Sequence, residues 1–324
     1  MIGDRAPERP WTVAVMGHRF ASLRIEEQVL GDQAYVVDVE SADDRDGTIA
    51  SADAIVIGST GRLDADAIDR LEKCKVIVRC GIGVDNIDVA AAGARSIWVA
   101  NVPNYCIEEV SDHAVTLMLA VARNLIPSVA AATEGRWGVG VMSGVRRLSR
   151  LCVGLIGFGR IGQAVASKVE PIFGEVLAYD PVETADPHLR SIEEVLDRAD
   201  LVSIHCPLTP ETRGLVGASF LQHMPKGSWL INTARGEIVD EEALIDSLDR
   251  EHLAGAALDV LTREPPDLGA PVLRHPKILV TPHVSYYSES SIDELHRRSA
   301  EQVWAALHGE RPEFVIDPNV KAAG

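Results

Sequence analysis

The sequence predicts an α/β protein made of two doubly wound domains, each with a parallel sheet covered by helices on both faces. At 324 residues, the chain is too long for one ordinary core and fits about two domains of typical size. Short β-branched runs alternate with longer helical stretches in two successive series. Near-continuous apolar strands separated by helices are typical of parallel sheets that are buried on both faces.

The first series contains five predicted strands with helical segments between several of them. The strands lie at 12–17, 34–40, 52–58, 75–81 and 97–103. A long apolar segment from about Ile107 to Ala131 follows and is predicted to be helical, with Pro127 kinking or ending it. This segment and the Gly- and Arg-rich stretch after it are interpreted as a linker and dimer arm, although a plain buried helix explains the helical part equally well.

The second series opens at LCVGLIGFG (151–159) and continues with EVLAYD, DLVSIHCP, SWLINTARG, LAGAALDV and KILVTPH. A last helix, from about 288 to 308, comes after this series has closed, and we expect it to pack back on the first unit. The predicted domain boundaries are therefore 1–104 plus 287–324 for the first domain and 105–286 for the second, with 105–150 as the helix and dimer arm.

Composition excludes several classes of protein. A hydrophobic content of 46% with 24% charged residues is globular, and a net charge of −17 disfavours nucleic-acid binding. No apolar stretch approaches the roughly 20 residues that span a bilayer, and the N-terminus lacks the apolar core of a secretory signal. The five cysteines have no CxxC spacing and no metal-ligand cluster is found, so we expect reduced thiols, a cytoplasmic protein and no metal.

A glycine motif, GFGRIG at 157–162, directly follows the first strand of the second series and opens a helix. This context is the one that the dinucleotide fingerprint demands, whereas the motif alone would be weak. Gly157 makes the tight turn, Gly159 lets the backbone approach a pyrophosphate, and Gly162 allows close helix–strand packing. The predicted cofactor contacts here are Gly157, Gly159, Arg160, Ile161 and Gly162; the alternative is a glycine-rich turn without a ligand.

The next predicted strand ends at Asp180, whose carboxylate can accept hydrogen bonds from the adenosine ribose. It would repel a 2′-phosphate, and neither Pro181 nor the residues at 182–184 are basic, so NAD is favoured over NADP. The residues that follow the later strands lie at the sheet edge where ligands bind, and polar or ionisable groups recur among them. The predicted cofactor contacts beyond the glycine motif are Asp180, Pro181, His205, Cys206, Pro207, Thr233, Ala234 and Asp259, while Arg235 and His283 follow two of the same strands.

Two of these residues have predicted catalytic roles. Arg235 is predicted to grip a substrate carboxylate through two parallel hydrogen bonds, the alternative being a surface arginine in a turn. His283 is predicted to be a general acid–base that protonates a carbonyl oxygen, the alternative being a satisfied core histidine. A neighbouring carboxylate would favour the charged imidazole, and Glu264 is the candidate, although a glutamate in a Pro-rich loop is usually solvated.

Together these segments resemble the NAD-dependent D-isomer-specific 2-hydroxyacid dehydrogenases, over nearly the whole chain. The matching segments are RCGIGVDNID (79–88), NVPNYCIEEVSDHA (101–114), GLIGFGRIG with Asp180, HCPLTPETRGLV (205–216), INTARGEIVD (231–240), ALDVLTREPP (257–266) and TPH (281–283). The resemblance implies a Rossmann cofactor domain inserted into a flavodoxin-like substrate domain, with the active site in the cleft between them. It also implies the catalytic set Arg235, Glu264 and His283, Asp259 near the nicotinamide, and a homodimer.

The resemblance also implies that the backbone from Cys80 through Gly81, Ile82 and Gly83 helps to hold the substrate carboxylate. Arg79 resembles a position that phosphoglycerate dehydrogenases use, but Gly58 stands where those enzymes carry a further arginine, with Arg62 four positions on. A phosphorylated substrate is therefore disfavoured without being excluded.

The segment VSYYSESSIDELHRR resembles a subgroup shared with the C-terminal-binding-protein corepressors, with Tyr286 as a possible wall of the substrate pocket or, equally, a packing aromatic. We expect a metabolic enzyme that acts on a small 2-keto or 2-hydroxy acid. The alternative is an NAD(H)-sensing dimer that binds protein partners.

Overall fold

The computed structural model describes residues 10–18, 22–141, 144–182 and 185–316. Residues 1–9 and 317–324 of the predicted first domain lie outside the described residues. So do residues 183–184, which the sequence analysis examined for a basic side chain after Asp180. The chain divides into two units. One contains the residues up to Cys106 together with those from Ser288 onward, and the other is Ile107–Tyr287.

The first unit contains a five-stranded parallel sheet with the strand order β2-β1-β3-β4-β5. This is the flavodoxin-like order, in which consecutive strands are joined by crossover helices. Its elements are β1 (Trp11–Met16), α1 (Arg24–Leu30), β2 (Ala34–Asp38), α2 (Arg45–Ala50), β3 (Ala54–Ile57), α3 (Ala65–Asp69), β4 (Val76–Arg79), α4 (Val89–Ala94) and β5 (Trp98–Ala100). Every residue of the central strand β3 is buried, as the apolar runs predict.

The second unit contains a six-stranded parallel sheet with the order β11-β10-β9-β8-β6-β7. Its elements are α5 (Ile107–Ala122), α6 (Leu125–Thr133), β6 (Cys152–Ile156), α7 (Arg160–Val169), β7 (Glu175–Tyr179), α8 (Ile192–Arg198), β8 (Leu201–Ile204), α9 (Ala218–His223), β9 (Trp229–Asn232), α10 (Glu241–Asp249), β10 (Gly255–Leu258), α11 (Pro271–Arg274) and β11 (Ile278–Val280). A single parallel bridge between Ala178 and Leu189 lies where the Rossmann order places its third strand, on the outer side of β7.

The last helix, α12 (Glu289–Leu307), belongs to the first unit. It begins at a capping box in which the Ser288 hydroxyl accepts a hydrogen bond from the Ser291 amide, and the Ser291 hydroxyl accepts one from the Ser288 amide. Its buried face packs on the strands β3 and β4, within one apolar cluster that includes Val13, Val56, Val78, Leu295, Ala300 and Val303. The second unit is therefore inserted into the first, and the predicted fold class is confirmed.

The apolar segment that the sequence predicts as one helix forms two, α5 and α6, bent by 60° at the break. Asn124 precedes α6 in the left-handed region, with φ of 51°. Pro127 lies in the first turn of α6, where its missing N–H is not needed by the helix. Among the described residues, no single helix is long and apolar enough to cross a membrane; only this bent pair passes on length and composition.

Candidate active site

Five loops of the second unit meet at one edge of its sheet, because they follow the carboxyl ends of the parallel strands β6, β8, β9, β10 and β11. The glycine loop follows β6. Gly157 has φ of 97°, and a Cβ there would lie 2.5 Å from the Cys206 backbone nitrogen. A Cβ on Gly162 would lie 2.3 Å from the Gly157 carbonyl oxygen. Both positions therefore require glycine, for a positive φ and for close backbone approach.

The helix α7 starts immediately after this turn, with Gly159 as its N-cap and no side-chain cap. The first backbone hydrogen bond of the helix runs from the Gln163 amide to the Gly159 carbonyl. The amides of Arg160, Ile161 and Gly162 therefore have no partner within the helix and suit an anionic pyrophosphate.

Asp180 follows β7 and lies beside the glycine loop. Its carboxylate accepts hydrogen bonds from the Phe158 amide at 2.7 Å and from the Val182 amide at 2.9 Å. The adjacent Pro181 is exposed. Asp180 thus fixes the turn at the same place where the sequence predicts contacts to the ribose.

The loop after β8 lies against the glycine turn and carries His205, Cys206 and Pro207. Burial lowers the pKa of His205 to about 4, so the imidazole is neutral near pH 7. Its buried Nε2 atom has no hydrogen-bond partner among the described residues. Burial also raises the pKa of the Cys206 thiol to about 11, which makes this cysteine unreactive. The Pro207 carbonyl accepts a hydrogen bond from the Thr212 hydroxyl.

The loop after β9 is shaped by Asn232, which the sequence analysis did not single out. The Asn232 side chain donates to the Arg235 carbonyl at 2.9 Å and accepts from the Ala234 amide at 3.0 Å. The Arg235 guanidinium donates to the Ala234 carbonyl. In the part of the chain that the structure describes, the buried Thr233 hydroxyl oxygen has no hydrogen-bond partner, which fits a polar group of a bound cofactor.

The loop after β10 carries Glu264 and approaches the Arg235 loop closely. A Cβ on Gly236 would lie 2.1 Å from the Leu261 carbonyl oxygen, so only glycine fits between the two backbones. The Leu261 amide donates to Oε1 of Glu264 at 2.9 Å. These contacts bring the predicted anchor and the predicted carboxylate into one cluster.

His283, in the loop after β11, contacts Glu264 directly, with 2.5 Å between Nδ1 and Oε2. Partial burial opposes ionisation of Glu264. The hydrogen bond and positive charge of His283, the Leu261 amide and the charge of Arg235 outweigh it and hold the pKa of Glu264 below its ordinary value. The ring of Tyr286 meets the His283 ring edge to face, with centroids 6.1 Å apart.

Asp259 is buried at the end of β10 and holds the His283 loop. Its carboxylate accepts from the Thr281 hydroxyl at 2.5 Å, the Val284 amide at 3.0 Å and the Ser285 amide at 2.9 Å. Its carbonyl accepts from the His283 amide. The sequence analysis places Asp259 at a strand end and, by resemblance, near the nicotinamide, so its role in holding the His283 loop was not predicted.

The predicted substrate loop lies in the first unit, after β4. Gly81 has φ of 141°, and a Cβ there would lie 2.4 Å from the Arg79 guanidinium, which donates to the Cys80 carbonyl. The Asn101 side chain donates to the Ile82 carbonyl at 2.6 Å, and the Val102 amide donates to the Gly81 carbonyl. The loop is therefore held in one conformation as far as Ile82, and Gly83 continues it.

Two further predictions from the sequence concern the state of the cysteines and the absence of a metal. All five cysteines are buried and none of them forms a disulfide. In the part of the chain that the structure describes, no group of three or more His, Cys, Asp or Glu residues could hold a metal ion.

In the second unit, the glycine turn after β6 and the loops that carry Arg235, Glu264 and His283 lie at the same edge of the sheet. Residues 115–285 match the model of the D-isomer specific 2-hydroxyacid dehydrogenase NAD binding domain. The chain belongs to this family, and its second unit is an NAD-binding domain.

Known relatives agree with this assignment. A D-3-phosphoglycerate dehydrogenase from Mycobacterium tuberculosis is 37% identical over 297 residues, covering 89% of this chain and 55% of that protein. A glyoxylate reductase from Thermofilum pendens is 33% identical over 283 residues, covering 84% and 83% of the two chains. The structure of an Aquifex aeolicus D-lactate dehydrogenase with NAD and lactic acid has a TM-score of 0.83 at 25% identity, covering 92% and 96%. The chain spans about half the length of the phosphoglycerate dehydrogenases that it matches.

Proposed function

We propose that this protein transfers hydride between NAD(H) and a small D-2-hydroxy acid and 2-keto acid pair. The observation that carries this proposal is the 2.5 Å contact between His283 and Glu264, beside the Arg235 loop and at the same sheet edge as the dinucleotide turn. An acid–base pair is useful to this reaction because a proton must reach the carbonyl oxygen as hydride reaches the carbonyl carbon.

The cofactor site is assigned to the residues that follow the strands. The α7 amides suit the pyrophosphate, Asp180 the ribose hydroxyls, and the polar groups of Thr233 and Asp259 the nicotinamide end. The His205–Pro207 and Thr233–Ala234 segments complete the predicted contacts. When bound, NAD(H) supplies the hydride donor or acceptor.

Arg235 is proposed to orient the substrate carboxylate and to polarise the adjacent carbonyl. A guanidinium suits this role because its two parallel N–H groups match the geometry of a carboxylate. The backbone of residues 80–83 is assigned to the same carboxylate on the strength of the family resemblance. The overall charge of −17 makes such local positive charge necessary for an anionic substrate.

His283 is proposed to donate the proton to the substrate carbonyl from Nε2. Because Nδ1 contacts the Glu264 carboxylate, the tautomer and ring orientation are fixed and Nε2 is left for the substrate. Glu264 stabilises the charged imidazole before it gives up the proton, and Tyr286 packs against the His283 ring. In the direction of oxidation, neutral His283 takes the proton back.

The substrate is proposed to be a small unphosphorylated acid. A Cβ at Gly58 would lie 2.2 Å from the Gly17 carbonyl oxygen, so no side chain can project from the place where phosphoglycerate dehydrogenases carry an arginine. Arg62 is exposed. Removal of one cation weakens binding of a phosphate more than binding of a neutral tail.

A homodimer in the cytoplasm is proposed as the working form. The α6 residues Leu125, Ile126 and Val129 are each about half exposed, and Trp137 is 89% exposed. Apolar side chains exposed together on one segment are typical of an interface. The five buried cysteines, none of them in a disulfide, support a reducing compartment.

The test is NADH oxidation by the purified protein with a panel of 2-keto acids. Glyoxylate, pyruvate, hydroxypyruvate, phosphohydroxypyruvate, phosphonopyruvate and branched or aromatic acids should be compared. We expect turnover with one or more unphosphorylated acids. NADH binding without turnover of any acid on the panel would contradict the proposed activity and support the corepressor-like alternative. The relatives named above, a dehydrogenase and a reductase, do not favour that alternative.

A further inference from the structure

We infer that His113, on helix α5, is a positioning residue for the loop that carries His283, an inference that rests on the proposed function. His113 has no assigned role in the reaction described above. Its Nε2 atom lies 3.0 Å from the Thr281 hydroxyl and 3.6 Å from Oδ1 of Asp259. His113 is therefore linked to the His283 loop through Thr281 and Asp259.

The hydrogen bonds in this chain can run in only one direction. Asp259 accepts from the amides of Val284 and Ser285, and the Thr281 hydroxyl gives it the single hydroxyl proton. Thr281 is then left as an acceptor, and the proton between it and His113 must sit on Nε2. The donors thus run from His113 to Thr281 to Asp259, and each bond polarises the next.

The His283 loop needs such support because neither packing nor backbone preference holds it. The strand β11 has three residues, lies at the edge of the sheet, and has no fully buried residue. His283 itself has φ of 53°, in the left-handed region that side chains other than glycine rarely occupy. The carboxylate and carbonyl of Asp259 fix the backbone on both sides of this residue.

Helix α5 provides a fixed base for His113. Ala114, Leu117 and Met118 on the same helix are buried in the core beneath β9 and β10. On the other side, Lys168 of α7 donates to the Ser111 hydroxyl at 2.8 Å and to the Asp112 carboxylate at 2.7 Å. Because α5 is held on both sides, the His113 side chain has a fixed position from which to hold the His283 loop.

The test compares His113→Phe, which removes the donor, with His113→Gln, whose amide N–H reaches a similar place. His113→Phe should lower kcat by about tenfold or more, because a small misplacement of a catalytic group has effects of this size. The Kd of NADH and the melting temperature should change little. His113→Gln should recover most of the lost kcat. Thr281→Val should match His113→Phe, and the double variant should be no slower than the slower single variant.

Amide hydrogen exchange of residues 281–287 provides a readout that does not depend on turnover. His113→Phe should accelerate exchange in this segment, because the network that protects it has lost its outer member. Thr116→Val is the matched control, since Thr116 is exposed on the same helix and its hydroxyl donates to the Asp112 carbonyl of that helix. It should leave exchange and kcat unchanged.

Each outcome decides the role of His113. Wild-type kcat and exchange in His113→Phe, equal losses in the Phe and Gln variants, or additive losses in the double variant would each overturn the inference. If the parent protein turns over no 2-keto acid, the proposed function fails. The exchange experiment then still shows whether His113 positions the loop.

Discussion

Gly236 lies so close to Leu261 that a Cβ on the glycine would stand 2.1 Å from the leucine carbonyl oxygen. Arg235 precedes this glycine, and the Leu261 amide holds Glu264. The close approach of two backbones therefore sets the distance between the loop with the proposed substrate anchor and the loop with the carboxylate partner of His283.

Gly236→Ala should separate these two loops. We expect kcat to fall by about 10²-fold through misplacement of the catalytic groups. Overpacking should also destabilise the fold by about 1–3 kcal/mol. Steady-state kinetics and thermal unfolding measure the two effects. Gly269→Ala is the matched control, since its Cβ would meet only the Asp267 carboxylate, at 3.3 Å; equal losses in both variants would show that the close approach is unimportant.

His283→Ala should lower kcat by at least ~10²-fold, the range expected for a lost general acid–base group. NADH should bind as before, as measured by quenching of protein fluorescence. His223→Ala removes an exposed imidazole on α9, whose Nδ1 contacts only the Ser219 carbonyl, and should leave kcat unchanged. Near-normal turnover in His283→Ala would rule out His283 as the proton donor.

Acid should weaken the fold in a way that Glu264 explains. Because the pKa of Glu264 is lowered in the folded state, its ionisation stabilises the fold above its ordinary pKa of 4.5. This contribution is lost as the pH falls from 4.5 through the lowered pKa. Urea unfolding at several pH values should therefore show a steeper acid loss of stability in the parent protein than in Glu264→Gln. Parallel profiles would contradict the lowered pKa.

Asp180 should set the preference for NAD over NADP. Asp180→Asn keeps one acceptor oxygen for the glycine loop but removes the charge that repels a 2′-phosphate. We expect Asp180→Asn to lower the ratio of kcat/KM with NAD to kcat/KM with NADP by about tenfold, equivalent to ~1.4 kcal/mol. Asp180→Ala also loses the bond from the Phe158 amide and should reduce activity with both cofactors. A parent protein that uses NADP(H) as well as NAD(H) would refute this role.

The exposed apolar face of α6 should hold the dimer together. Ile126→Glu places a charge beside Leu125 and Val129. It should shift the protein from dimers to monomers, as measured by sedimentation equilibrium. Glu134→Ala, at the exposed end of the same helix, provides a control that should remain dimeric. A monomeric parent protein would disprove the proposed assembly.

The strands of the second sheet, and the edge at which their loops meet, were predictable from the sequence. Each buried parallel strand is a short apolar run, and its loop follows it directly. The carboxyl ends of parallel strands converge at one edge by geometry alone, so the sequence is enough to assign His283, Arg235 and Asp259 to that edge. The break between α5 and α6 was predictable only in part: Pro127 indicates a bend, but the left-handed Asn124 that makes it gives no clear signal.

Long-range hydrogen bonds were beyond sequence reasoning. His113 contacts Thr281, which lies 168 residues further along the chain. Nothing in the spacing of either residue indicates this partner, and the only signal is an imidazole within a largely apolar helix. Asn232 and Gly236 were missed for a related reason, since their roles depend on which backbone passes beside them.

The insertion of one unit into the other dictates an order of events during synthesis. The ribosome makes β1–β5 first, but the strands β3 and β4 have no α12 to cover their apolar face until residue 307 has been translated. The inserted unit, Ile107–Tyr287, has all its strands before that point. The nascent chain therefore carries an uncovered sheet face while the NAD-binding domain is completed, and this interval is when it is most exposed to aggregation and to chaperones.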